Sequence, residues 1–236
     1  MKNHSNKILC AVAFLALGFN ALATTIYDDA AQYNTNQLQV ANSLTIGNQI
    51  SIANGVWNLT NFSIEYYTSN ATLNAGVGVD VQFFKNDGPL TNGFASPGTL
   101  FFDSGWFYNT LANNLPGGGA HTINYNSTDF TGSPVPLSTG LAGNKMPGTF
   151  TFAITFANLG TNTIDLPLAN DQAGVSFGDY WLYNNLSSQW TLMTNANTAA
   201  NFVVDFSGVV PEPSILGLGA LGGLMFFGAV RWKRKR

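Results

Sequence analysis

Cleaving a glycosidic bond takes two facing carboxyl groups, one of them held protonated by apolar surroundings. Glu65, Asp80 and Asp103 are the acidic residues that stand inside or at the end of strand-like runs. Glu65 alternates with Phe62, Ile64 and Tyr66, and Asp80 with Val77, Val79, Val81 and Phe83, so the period of two places both on a solvated outer face. A nucleophile activated by histidine would have to be built on His121, which follows Gly117-Gly118-Gly119-Ala120 and reads as an exposed loop residue. The one cysteine, Cys10, lies in an N-terminal apolar run. Histidine-rich and thiolate zinc sites are excluded by count, and no catalytic residue is assigned.

Aromatic stacking is the other chemistry available. Trp57, Trp106, Trp181 and Trp190, amid many Asn amides, are the material of a platform for flat sugar faces. Trp57 and Trp190 precede Leu59 and Leu192 by two residues, which turns both toward a core. Trp106 after Gly105, and Trp181 after Gly178-Asp179-Tyr180, are the candidate stacking residues. Asp28, Asp29, Asp87, Asp171 and Asp179 in turns, with Asp205 on the last strand-like run, are candidate oxygen ligands for a structural Ca²⁺. They follow no EF-hand spacing, so the metal stays open, and no other cofactor is called for. Asn-x-Ser/Thr sequons begin at Asn58, Asn61, Asn70, Asn126 and Asn185, a number that an Asn-rich chain reaches by chance.

The elements that would carry these side chains are short strands. From about Gln37 the chain runs as alternating segments separated by turn chemistry, such as Asn86-Asp87-Gly88-Pro89, Ser96-Pro97-Gly98, Pro116-Gly117-Gly118-Gly119 and Lys145-Met146-Pro147-Gly148. Further runs span 49–52, 55–59, 99–103, 105–108, 121–125, 149–156, 174–177, 180–183, 190–193 and 201–206. No helical stripe intervenes. The pattern predicts an all-β, antiparallel, jelly-roll-like β-sandwich, with an immunoglobulin-like sandwich as the second choice.

Composition sets the compartment and excludes a partner. Only 9% of residues are charged, against 45% hydrophobic and 13% aromatic, far from the usual balance of a soluble domain. Seven of the nine Lys and Arg residues sit at the two ends; between Thr24 and Val210, two basic residues face eleven acidic ones, a net charge of −9. Such a body repels phosphate, so nucleic acid is not expected as a partner.

Both ends read as addresses. Lys2 and Lys7 precede the apolar run 8–19, and Ala21 and Ala23 occupy the −3 and −1 positions of a cleavage site, so residues 1–23 are expected to be a secretory signal peptide. Cleavage leaves a chain without cysteine, which has to be held by its core. Residues 24–208 are then the extracellular domain and 209–236 a C-terminal tail. Within the tail, Pro211-Glu212-Pro213 form an extended strip. A Gly-rich helix at about 214–230 is short for a membrane, and a basic stop, Arg231, Lys233, Arg234, Lys235 and Arg236, follows at 231–236.

This order of Pro-Glu-Pro, short apolar span and basic terminus resembles the PEP-CTERM sorting domain of bacterial exosortase substrates. The body is similar to an extracellular domain found in such proteins, through Phe62-Ser63-Ile64-Glu65-Tyr66-Tyr67, the stretch from Val81 to Gly88 and that from Pro97 to Gly105. The resemblance implies export with signal peptidase and exosortase as processing partners. It also implies a single-pass intermediate in the inner membrane, cleavage near Pro211-Glu212-Pro213, and delivery to the cell surface or extracellular matrix. The expected function is a non-catalytic surface or matrix protein. The alternatives are a carbohydrate-binding module for extracellular polysaccharide and, third, a glycoside hydrolase-like enzyme.

Overall fold

Strict alternation of apolar and polar side chains leaves each run one face to bury, and two such faces have to meet. The computed structural model describes residues 24–28, 33–52, 58–110, 115–126, 128–129, 146–169, 175–185, 187–193 and 201–209. The expected signal peptide, Trp57, Asp29, Asp171, the Pro-Glu-Pro strip, the span and the basic tail lie outside them. Ala23–Val209 form one compact unit.

Its strands, in chain order, are β1 (Thr24–Asp28), β2 (Tyr33–Val40), β3 (Thr45–Ser51), β4 (Asn58–Thr68), β5 (Gly78–Lys85), β6 (Leu90–Thr91), β7 (Phe94–Ala95), β8 (Leu100–Asp103), β9 (Phe107–Tyr108), β10 (Gly119–Asn126), β11 (Thr149–Ala157), β12 (Ile164–Ala169), β13 (Val175–Asn184), β14 (Gln189–Met193) and β15 (Val204–Val209). One six-stranded sheet runs β1-β15-β4-β12-β2, with β10 also paired to β4. A seven-stranded sheet runs β14-β13-β3-β11-β5-β8, with β9 also on β5, and β6 and β7 form a small hairpin. Pairing is antiparallel in each, and the described chain is all-β with almost no helix, consistent with a β-sandwich. Among the described residues no helix is long and apolar enough to cross a membrane.

Phenylalanine rings join the two large sheets. Phe62 of β4 lies 5.0 Å from Phe83 of β5 and 5.7 Å from Phe102 of β8, edge-on in both cases. Phe206 of β15 meets Phe150 and Phe152 of β11 at 5.5 and 5.9 Å. All six rings are fully buried, and offset and edge-to-face contacts add to what their burial alone contributes.

Five strands escape the sequence reading: β1, β2, β12 and the short hairpin strands β6 and β7. β1 and β2 precede the first clear alternation. β12 hides behind Pro167, which lacks an amide to donate; the strand accommodates it at a register shift between Pro167 and Ala169, past its single pairing with β4. The runs 174–177 and 180–183 prove to be one strand, β13, bulged between Ser176 and Tyr180 with Gly178 at φ +72°. His121 is not an exposed loop residue. It sits half-buried in β10, Nε2 3.1 Å from the Gly117 carbonyl and its ring against Tyr66.

Because Phe62 touches rings of both sheets, Phe62→Ala is expected to cost about 3–5 kcal/mol of stability, the range for a buried aromatic truncation. Urea unfolding measures this; a loss under about 1 kcal/mol would mean that the sheets are held together elsewhere.

Candidate functional site

With the phenylalanines turned inward, their strand neighbours must face out, and register decides which of them meet. Along the outer face of the seven-stranded sheet one cross-strand row reads Trp190 (β14), Tyr183 (β13), Thr45 (β3), Thr155 (β11) and Asp80 (β5). Four strand spacings of about 4.8 Å make it roughly 19 Å long. Trp106, in the loop between β8 and β9, stands beyond Asp80. The row floors a groove of about 630 Å³, to which Gln82 and Phe84 also contribute.

Aromatic rings wall the groove at both ends. Trp190 packs against Tyr183 at 5.0 Å and edge-on to Phe84 at 5.4 Å. It reaches over Gly47, where a Cβ would come 3.4 Å from its ring. At the other end Trp106 stacks on Tyr108, 5.8 Å apart and inclined by 20°, above Gly78, where a Cβ would press within 2.7 Å of Tyr108. Trp106 is 42% and Tyr108 39% exposed. Gly105, at φ +70°, makes the turn that delivers Trp106 to the surface.

The floor is polar and satisfied. Thr45 and Thr155 share a hydrogen bond of 2.7 Å between their hydroxyls. The Asp103 carboxyl neighbours that of Asp80 and strengthens its hold on a proton. Asp103 accepts from Gln82 Nε2 at 3.0 Å and from the Gly105 amide at 2.7 Å. Ser104 Oγ accepts from the Val81 amide at 2.9 Å and donates to Asp80 Oδ1 or to the Gly105 carbonyl, 3.2 and 2.9 Å away. Burial, followed by the charge of Asp103, pushes the Asp80 carboxyl up to about 7, against the opposing hydrogen bonds from Ser104 and Val81.

The rim is held by Asp87. Its carboxylate accepts from the amide and the hydroxyl of Thr99, both at 2.7 Å, and these bonds hold it below the usual carboxylate range. The loop so closed brings Pro97 and Gly98 to the groove.

The geometry redraws several expectations. Asp80 does face outward, yet it is 6% exposed, because the groove walls cover it; it is not on a solvated surface. Glu65 points out from the other sheet, near Thr122, so only Asp80 and Asp103 of the three carboxylates come together. Trp181 is 1% exposed and presents no stacking face. Trp190, expected in the core, lines the groove instead, because its cross-strand partner Tyr183 faces outward. Among the Ca²⁺ candidates, Asp87 serves as a loop latch, and Asp28 and Asp205 stand opposite each other across β1 and β15. Burial and then the charge of Asp28 raise the Asp205 carboxyl. Among the described residues no three His, Cys, Asp or Glu gather where they could hold a metal ion. Comparisons with protein-family models, with curated proteins and with solved structures return no match for this chain.

The folded chain keeps the Asp80 proton up to about pH 7, whereas an unfolded aspartate loses it near 4. Between these values the folded state binds more protons, so the stability Asp80 contributes is full below about pH 4 and is lost as pH rises through about 7. Asp80→Asn, which cannot ionise, is expected to be more stable than the parent at pH 8 by on the order of 2 kcal/mol, with the gain gone by pH 4. Urea midpoints that shift equally at both pH values would refute this account of the pair.

Proposed function

We propose that the chain is an exported, non-catalytic surface or matrix protein whose β domain binds extracellular polysaccharide in the groove of the seven-stranded sheet. The observation that carries the reading is the row itself: exposed or half-exposed indole rings, Trp106 and Trp190, at the two ends of a polar floor. Rings offer sugar faces apolar contact, while Thr, Gln and carboxyl groups between them bond hydroxyls. Asn185 and Ser188 at the rim add polar groups. A jelly-roll-like winding suits this role and is favoured by the way β3, β4 and β5, and again β11, β12, β13 and β15, alternate between the sheets. Hydrolysis suits the geometry less, because a glycosidase needs two carboxyl groups facing each other across its cleft and Asp80 alone lines this one.

Export rests on the sequence of the two ends. The apolar leader ending at Ala23 and the Pro211-Glu212-Pro213 tail favour processing by signal peptidase and exosortase. The route ends at the cell surface or matrix, after a single-pass stage in the inner membrane.

Two experiments test these halves. On a glycan array the full-length chain is expected to retain defined polysaccharides, and Trp106→Ala or Trp190→Ala to weaken binding at least tenfold, the loss of about 1.4 kcal/mol that one stacking ring can supply. Absence of any glycan signal would remove the binding reading. Replacing Pro211, Glu212 and Pro213 by Ala in an exosortase-competent host should leave export intact and stop release, so that a full-length band stays with the membrane. Identical band sizes and locations for parent and variant would leave the tail a plain anchor.

A further inference from the structure

We propose that the groove selects glycans that carry free, protonated amino groups. The inference rests on the glycan-binding reading and adds the chemistry of the sugar.

Its ground is the charge of the lining. Asp80 is the sole carboxylate in the groove wall, backed by Asp103, and no Lys, Arg or His lines the cavity. Among the described residues Lys85 is the one Lys or Arg, and it is exposed five residues along β5 from Asp80. That is about 16 Å at strand rise, twice the Debye length of about 8 Å in physiological salt. The Asp87 carboxylate at the rim is engaged by Thr99. The neighbouring β3, β11 and β14 carry no ionisable acid or base, and β13 adds Asp179 beyond its bulge, as well as Tyr180 and Tyr183. A ligand therefore meets a floor that is negative or can become so, with no counter-charge from the described residues that line it.

Sugar classes divide sharply on such a surface. A uronate or sulfate would bring a second negative charge against the carboxyl pair in a partly enclosed site and is repelled. A neutral or N-acetylated sugar finds uncharged hydroxyl and amide partners and gains no ionic bond. A sugar ammonium gains a charge-assisted hydrogen bond to the carboxylate, and the exposed face of Trp106 at the same end of the groove attracts it as well. When it binds, Asp80 gives up its proton to solvent and the ammonium donates to the resulting carboxylate, so one positive charge replaces another at that group.

The test is calorimetry with the full-length chain at pH 6, where the sugar amine is protonated, using equal-length oligomers of glucosamine, N-acetylglucosamine and glucuronic acid. The glucosamine oligomer is expected to bind at least tenfold tighter than the acetylated one, the gap to narrow in 1 M salt, and the glucuronate oligomer to bind weakest. Because the body is acidic as a whole, Asp80→Asn separates the groove from general attraction: the amine preference should vanish in this variant, and in Asp103→Asn should the first not fold. A preference that survives both substitutions would place the attraction in overall charge and overturn the proposal. Equal binding of glucosamine and acetylated oligomers would also overturn it and leave the glycan-binding reading standing. Binding of none of the three, with no glycan retained on the array, would remove both.

Discussion

The fold depends on the contact of phenylalanine rings between the sheets, because little else is available to hold it. The segment after Ala23 has no cysteine, and its sparse charges cannot form a network of ion pairs. Stability must come from apolar burial, and Phe62, Phe83, Phe150 and Phe206 supply it at one point where both sheets contribute rings. Fixing those rings inward also fixes register. A slip of one residue in β5 would carry Phe83 to the surface and Asp80 into the aromatic cluster, which is costly on both counts.

The groove is a consequence of that register. Thr45, Thr155 and Asp80 are aligned because Ile46, Ile154 and Val81, next to them, are bound to the core. What turns an aligned row into a cavity is the distribution of size. Gly47 and Gly78 leave room for Trp190 on one side and for Trp106 with Tyr108 on the other, so the rings lie over backbone rather than over side chains. Positioning by strands rather than loops gives the floor rigidity, while the one wall made of loop is tied down by Asp87.

Alternation alone made much of this visible from residue types. The inward set of β4, β5 and β11 follows from period two, as does the outward sense of Asp80. What alternation cannot give is which outward residues of different strands are neighbours, since pairings such as Thr155 with Asp80 join residues 75 positions apart. Asp80 therefore looked solvated when its neighbours were known only along the chain, and Trp190 looked buried for the same reason. Trp181 was misjudged because a glycine shortly before an aromatic marks a turn at Gly105, next to Trp106, but a bulge within a continuing strand at Gly178. β12 was lost to a proline that the end of one pairing made harmless.

The carboxyl pair is the part of the structure that stability alone does not explain. Two outward positions on β5 and β8 could be filled by Thr or Val with less desolvation, and the sheet would pair as well. Asp80 is instead buried beside a second acid, and burial with that neighbouring charge makes it hold its proton more strongly. Departures from local consistency of this kind gather where a protein does something. Here the departure lies at the centre of the aromatic-walled row, next to Trp106 and within reach of a ligand laid along it. A proton held on Asp80 also lets the floor change charge without moving an atom of the backbone: this carboxyl is neutral while protonated and becomes a carboxylate acceptor when a cation arrives. An aromatic groove needs no such device to hold a neutral sugar, and that asymmetry is what directs the reading toward a ligand that carries positive charge.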